Sequence, residues 1–345
     1  MISYQTSAPG APLIEVESKT PEPQGSEVLI KTIACGVCHS DIHMHEGVFD
    51  LGGGKQLEVG REGMVLGHEI FGEVIALGPD AQDAAIGDRC VVFPWIGCGE
   101  CAVCKRGDEQ LCTPGCALGI ACAGGFADHV MVPHSRYLFD KGDVTDSLAA
   151  TYACSGLTAY GALKKIGRLH ESDDVVIIGA GGVGMMAIQI ARALGMDPIV
   201  VDIDDDKLEA ARALGVNRSY NSSELQTAKD IRKTTGGAYA ALDFVGAEAS
   251  VSYGLGCLRK GGMLIIVGLY GGSLTLPIPF IPMNARIIQG SYVGGLEDMA
   301  ELMAMVREGK IAPIQITERP LKEANQALID LKAGNVRGRQ VLINA

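Results

Sequence analysis

Residues 174–203, DVVIIGAGGVGMMAIQIARALGMDPIVVDI, read in succession as strand, glycine turn, helix and strand. The unbroken apolar run Val175–Ile178 fits a strand covered on both faces of a parallel sheet. Gly179, Gly181 and Gly184 then spell G-x-G-x-x-G, with Gly182 and Val183 inside the turn and a helix expected from about Val183. The first amides of such a helix, and its dipole, suit a pyrophosphate. Asp202 closes the second strand eighteen residues beyond Gly184, placed to accept from both hydroxyls of an adenosine ribose. An acid there disfavours a ribose phosphate, so the expected cofactor is NAD rather than NADP. The glycine fingerprint is weak when isolated, but here both strands and the acid accompany it.

The same unit continues downstream. GAYAALDFVG and GGMLIIVGLYGG read as further parallel strands, with ASVSYGLGCLRKG as the helix between them. Val245 and Val267, within these two segments, are further expected cofactor contacts.

A chain of 345 residues exceeds what one hydrophobic core usually serves, so two domains are expected. With 47% hydrophobic and 20% charged residues it has the composition of a globular protein rather than a disordered one. The net charge of −12 would repel a nucleic acid backbone or an anionic membrane, leaving a small molecule or another protein as the expected partner. The first twenty residues lack the basic start and apolar run of a signal peptide, and glycines interrupt the most apolar stretches, so a cytoplasmic location is expected.

Eleven cysteines are many for a chain kept in a reducing compartment, where disulfides are rare and metal binding is the economical use of thiols. GCGECAVCKRGDEQLC sets Cys98, Cys101, Cys104 and Cys112 at the spacing C-x2-C-x2-C-x7-C. Four thiolates on one loop can enclose a tetrahedral zinc and leave no position for substrate, so this site is expected to be structural. Cys116 lies near enough to compete with Cys112 for the fourth place. A second candidate set is scattered: Cys38 in ACGVCHSDIH, His68 and Glu69 in GHEIFGEV, and Cys154 in ATYACSGLTAYGAL. Two thiolates and an imidazole would leave one position open on a zinc, as polarising an alcohol or carbonyl oxygen requires.

The ordered set GVCHSDIH, GHEIFGEV, the four-cysteine loop, CSGLTAYGAL, GAGGVG and RGRQVL resembles the zinc-dependent medium-chain alcohol dehydrogenases over essentially all 345 residues. The resemblance implies an α/β chain in two parts. A β-rich GroES-like catalytic domain would span 1–148 and 289–345, and a Rossmann domain with a doubly wound parallel sheet would span 149–288. It implies two zinc ions per subunit, with Cys38, His68 and Cys154 on the catalytic one and Cys112 favoured over Cys116 on the structural one. Asp41 would orient His68, and Glu69 would stand behind the metal as a transient ligand. The implied chemistry is hydride transfer between an alcohol and NAD, zinc stabilising the alkoxide while the proton leaves through Ser40, the nicotinamide ribose and His43. His39 and Arg339 would contact the pyrophosphate, Lys207 the adenosine ribose, and Trp95 would wall the substrate pocket. Cys35 would simply be packed.

Family members of this length imply a homotetramer, with a dimer as the alternative, and IIQGSYVGG offers a sheet edge for the purpose. The substrate stays open among simple, polyol, threonine and aryl alcohols. The glycine-rich stretch 46–66 looks longer than in the yeast-type enzymes, and small Ser40 suits secondary or aromatic alcohols. A zinc-stabilised nucleotide sensor without turnover is the rival reading; it leaves Cys38, His68, Cys154, Ser40 and His43 without a purpose.

Overall fold

The computed structural model describes residues 1–223 and 227–344. The chain divides into two compact units, one built from Met1–Phe49, Glu58–Leu157 and the residues from Gly294 onward, the other from Asp50–Leu57 and Thr158–Val293.

The second unit is organised by a parallel sheet of six strands in the order Arg218–Asn221, Ile199–Asp202, Val175–Ile178, Ala238–Asp243, Leu258–Ile266 and Ile287–Gly290. Every neighbouring pair in it runs parallel. All residues of Val175–Ile178 and Ile199–Asp202 are buried, as strands covered on both faces must be. Val176, Ile178, Val201 and Leu264 pack with Ile231, Val251 and Leu255 from the covering helices. Each such aliphatic side chain contributes about 1.5–3 kcal/mol on burial. The Ile287–Gly290 edge strand is exposed throughout.

The first unit holds a seven-stranded sheet. Val28–Gly36 is its centre, flanked by Glu69–Leu77 along one edge and shared along the other between His129–Val132 and Arg339–Ile343. Arg339–Ile343 in turn pairs in parallel with Ile316–Pro320. The first four residues of Glu69–Leu77 are all buried.

The units depart from the expected division at three places. Residues 149–157 pack with the first unit, because the helix Asp146–Thr151 buries Leu148, Ala149 and Ala150 against the Val28–Gly36 and Glu69–Leu77 strands. Residues 289–293 stay with the second, where Gly290 completes the pairing with Ile266. Asp50–Leu57, from the glycine-rich stretch, also joins the second unit, with Gly52 so close to the Gly272 backbone that no side chain would fit.

Candidate active site

Cys38 is the last residue before the helix His39–Glu46. Its amide donates to Asp41 Oδ2 at 2.8 Å, one turn into that helix, while Asp41 Oδ1 accepts from Gly67 N at 3.1 Å and lies 3.2 Å from His68 Nδ1. A single carboxylate thus fixes two segments and turns the imidazole between them. Cys154 comes from a third segment, the π-helical turn Tyr152–Gly156, a distortion that often marks functional positions. One ligand atom from each of Cys38, His68 and Cys154 lies within 4.8 Å of the others, and all three residues are buried.

The set fits a metal ion. His68 is fully buried, yet its Nε2 has no hydrogen-bond partner, which would ordinarily cost about 1–3 kcal/mol. Contact with the Cys154 thiol holds Cys38 well below the usual thiol range, and the same contact, with burial, raises Cys154. Burial pulls the His68 pKa down, but Asp41 and Cys38 outweigh it and the net shift is upward.

Around this cluster the predicted residues fall as follows. Ser40 Oγ is 4.0 Å from Cys38 Sγ. His43, one helical turn further on, stacks on Phe49 with ring centroids 4.3 Å apart, and its half-buried setting lowers its pKa. The Trp95 ring stands 5.5 Å from that of His68, and its Nε1 donates to Ala153 O at 3.2 Å. Glu69 Oε1 accepts from Ser155 N at 3.1 Å, while Glu69 Oε2 meets the Arg339 guanidinium. Burial raises the Glu69 pKa against the opposing pull of Arg339. Arg339 is buried and ion-paired with Glu69, its strand lying inside the sheet beside Val28–Gly36. His39 is exposed, and Cys35 is buried as expected.

The four-cysteine loop converges independently. The Sγ atoms of Cys98, Cys101, Cys104 and Cys112 lie within 4.8 Å of one another, with separations of 3.9 Å for Cys98 to Cys104, 3.5 Å for Cys101 to Cys104 and 3.9 Å for Cys101 to Cys112. Four sulfurs on a tetrahedral zinc would be spaced by about 3.8 Å. Cys116 does not compete for the fourth place: it is disulfide-bonded to Cys122, with Cα atoms 5.5 Å apart, contrary to the expectation that thiols here stay reduced. Sequence reasoning missed the loop's internal support. Buried Glu109 accepts from Tyr137 Oη at 2.8 Å and from Gly97 N and Arg136 Nη2 at 3.2 Å each. The only sequence cue was an acid three residues before Cys112.

In the second unit Gly179 takes a left-handed φ of +93°, and a side chain on Gly184 would overlap the Gly179 carbonyl. Gly181 faces open space just before the helix Gly182–Ala193, of which Gly182 and Val183 form the first turn. Asp202 Oδ2 accepts from Ala180 N at 2.7 Å and Oδ1 from Asp204 N at 3.0 Å, so this acid shapes the glycine turn directly. Lys207 leans toward Asp204 at 3.9 Å. Val245 borders Gly179, and Val267 N follows Asp243 O in the ladder at 2.9 Å. Asp243 was not foreseen: its buried carboxylate accepts from Val245 N at 2.9 Å, Gly246 N at 3.1 Å and Ser250 Oγ at 2.8 Å, fixing the turn that carries Val245.

Residues 24–143 match the family model for an alcohol dehydrogenase GroES-like domain, and residues 182–308 match that for a zinc-binding dehydrogenase. The NAD-dependent alcohol dehydrogenase of Sulfurisphaera tokodaii is 39% identical, with 97% of each chain covered. Among solved structures, the alcohol dehydrogenase of Aeropyrum pernix superimposes with a TM-score of 0.88 at 28% identity over 100% of both chains. The acetophenone reductase of Geotrichum candidum, solved with NAD, gives a TM-score of 0.87 at 28% identity over 99% of this chain and 96% of that one. With this similarity along its whole length, its parallel-sheet unit and its two ligand clusters, the chain belongs to the zinc-type medium-chain alcohol dehydrogenase family.

Proposed function

We propose that Cys38, His68 and Cys154 mark the site at which this enzyme interconverts an alcohol and its aldehyde or ketone, using NAD as hydride acceptor. The observation that carries the reading is their convergence from three separate segments into one buried set beside Ser40 and Trp95. A zinc ion held there would supply a Lewis acid for the substrate oxygen, and NAD would take the hydride.

The chain's own residues do the rest. Asp41 holds His68 in one orientation and ties it to the Cys38 amide. Ser40 accepts the alcohol proton and passes it on; His43, on the same face of the helix one turn later, delivers it to water. His43 suits this task because its lowered pKa keeps it neutral, and so able to accept, at neutral pH. Trp95 excludes water and bounds the alcohol's carbon chain. Glu69 and Arg339 form the buried ion pair next to the ligand set; Glu69 is the group available to approach the metal.

The glycine turn Gly179–Gly184 is read as the pyrophosphate seat, with Asp202 on the adenosine ribose, Lys207 beside it, and Val245 and Val267 toward the nicotinamide. His39 is a further candidate contact to the pyrophosphate. Cys98, Cys101, Cys104 and Cys112 would hold a second, structural zinc. A homotetramer, or at least a dimer, is supported by the exposed Ile287–Gly290 edge and by the exposure of its Ile287 and Ile288. No helix among the described residues is long and apolar enough to cross a membrane, in keeping with a cytoplasmic enzyme. Secondary and aryl alcohols are the first substrates to try, given small Ser40 and the likeness to an acetophenone reductase.

Replacing Cys38 with Ala tests the reading. Turnover of NAD with a panel of primary, secondary, aryl and polyol alcohols should fall at least about a thousandfold, with NAD affinity and circular dichroism unchanged. Undiminished turnover would remove this cluster from the mechanism.

A further inference from the structure

We propose that Cys116 and Cys122 form a redox modification site, a dithiol that closes to a disulfide and in closing sets the spacing between Trp95 and His68. The proposal rests on the reading of those two residues as walls of the alcohol site.

The position of the bond carries the inference. Cys116 belongs to the hairpin Trp95–Ile96/Cys116–Ala117, in which Ile96 pairs with Cys116 and Trp95 with Ala117. Cys122 belongs to the segment leading into Gly124–Phe126, which is laid against the three residues before His68. Gly124 N donates to Val65 O at 2.9 Å, Gly125 N to Gly67 O at 2.7 Å and Phe126 N to Leu66 O at 2.9 Å. The approach is close enough to require glycine: a Cβ on Gly119 would stand 2.5 Å from Gly67 O, and one on Gly124 would collide with the same atom. The bridge therefore ties the strand that carries Trp95 to the backbone that carries His68.

Backbone hydrogen bonds span the same turn. Ala121 N and Cys122 N donate to Ala117 O at 2.8 and 3.0 Å, and Gly119 N donates to Cys122 O at 2.8 Å. Opening the bond thus relaxes one turn without unfolding the lobe. Both cysteines are only half-buried, within reach of a small thiol reagent, and neither belongs to the four-sulfur group. Closure forms the Cys116–Cys122 bond and breaks that of a disulfide reagent such as oxidised glutathione. Two electrons pass from the protein dithiol to the reagent, whose sulfurs leave as two thiols carrying the two protons.

The test uses the zinc-loaded, full-length enzyme equilibrated in glutathione buffers from fully reduced to fully oxidised, then quenched, alkylated and weighed as peptides. The peptide spanning 116–122 should pass from doubly alkylated to bridged across the series. The alcohol KM should differ at least about threefold between the end states, with the NAD KM and zinc content constant. The Cys116→Ser/Cys122→Ser double variant should keep the reduced-state KM in every buffer. A peptide still fully alkylated at the most oxidising ratio, an alcohol KM equal at both ends, or a KM change that accompanies zinc loss would each overturn the proposal. Should the double variant not fold, the wild-type titration decides alone. The peptide masses do not depend on the assignment of the alcohol site, so failure of that assignment in the Cys38→Ala variant is recognised separately.

Discussion

Arg339 meets Glu69 in a closed ion pair, their side chains 4% and 0% exposed, close enough to Cys38 and Cys154 to interact electrostatically with both. Removing either partner strands the other's charge out of water. Arg339→Met should therefore destabilise the first unit by about 3–5 kcal/mol, read as a fall in its urea midpoint. The double change Glu69→Met/Arg339→Met should recover a large part of that loss, because two packed apolar side chains leave no buried charge; equal midpoints for the single and double variants would deny the pair.

His43→Gln tests the proton path. Alcohol oxidation should slow about tenfold near neutral pH and less in alkaline buffer, where hydroxide can accept the proton without a relay. In the unaltered enzyme the lowered pKa of His43 means that its neutral form persists into more acidic solution than an exposed imidazole allows. The acid limb of the kcat/KM profile assigned to it should thus fall below about 6.5, the ordinary histidine value. A limb above that value would contradict the assignment.

Asp202→Ser should raise the NAD KM by about tenfold or more and narrow the preference over NADP. Two effects would add: loss of the acceptor proposed for the ribose, and loss of the carboxylate oxygen now 2.7 Å from Ala180 N. Unchanged cofactor kinetics would take Asp202 out of the cofactor site.

Cys112→Ser should lower the zinc content from about two ions per subunit to about one, measured by atomic emission. Thermal half-life should shorten markedly, while the kcat of freshly prepared enzyme changes less than threefold or thereabouts. Complete loss of both ions would mean that the two clusters are not independent.

Much of this was legible in the sequence for a physical reason. Gly179, Gly184 and the four clustered cysteines satisfy constraints that are local in the chain, so spacing alone displays them. The Cys38–His68–Cys154 set is non-local; only its resemblance to a known family foretold the meeting of three distant segments. What escaped depended on which carboxylate each buried group would find. Arg339 at Glu69, Asp243 under the Val245 turn and Glu109 under the cysteine loop are all settled by tertiary packing. Cys116 was legible as a thiol near the zinc loop, but its choice of Cys122 over the metal was set by the turn at 117–122.

The pairing of Arg339–Ile343 with Val28–Gly36 imposes an order on biosynthesis. Roughly 300 residues separate these strands, an interval of about 15–60 s at ordinary translation rates. Apart from Asp50–Leu57, the second unit is one continuous segment and can fold on the ribosome during that time. The first unit must wait with an open sheet edge beside Cys38 until the closing strand emerges. The nascent enzyme is thus expected to acquire its nucleotide fold before its catalytic one, and chaperones to engage it chiefly in that interval.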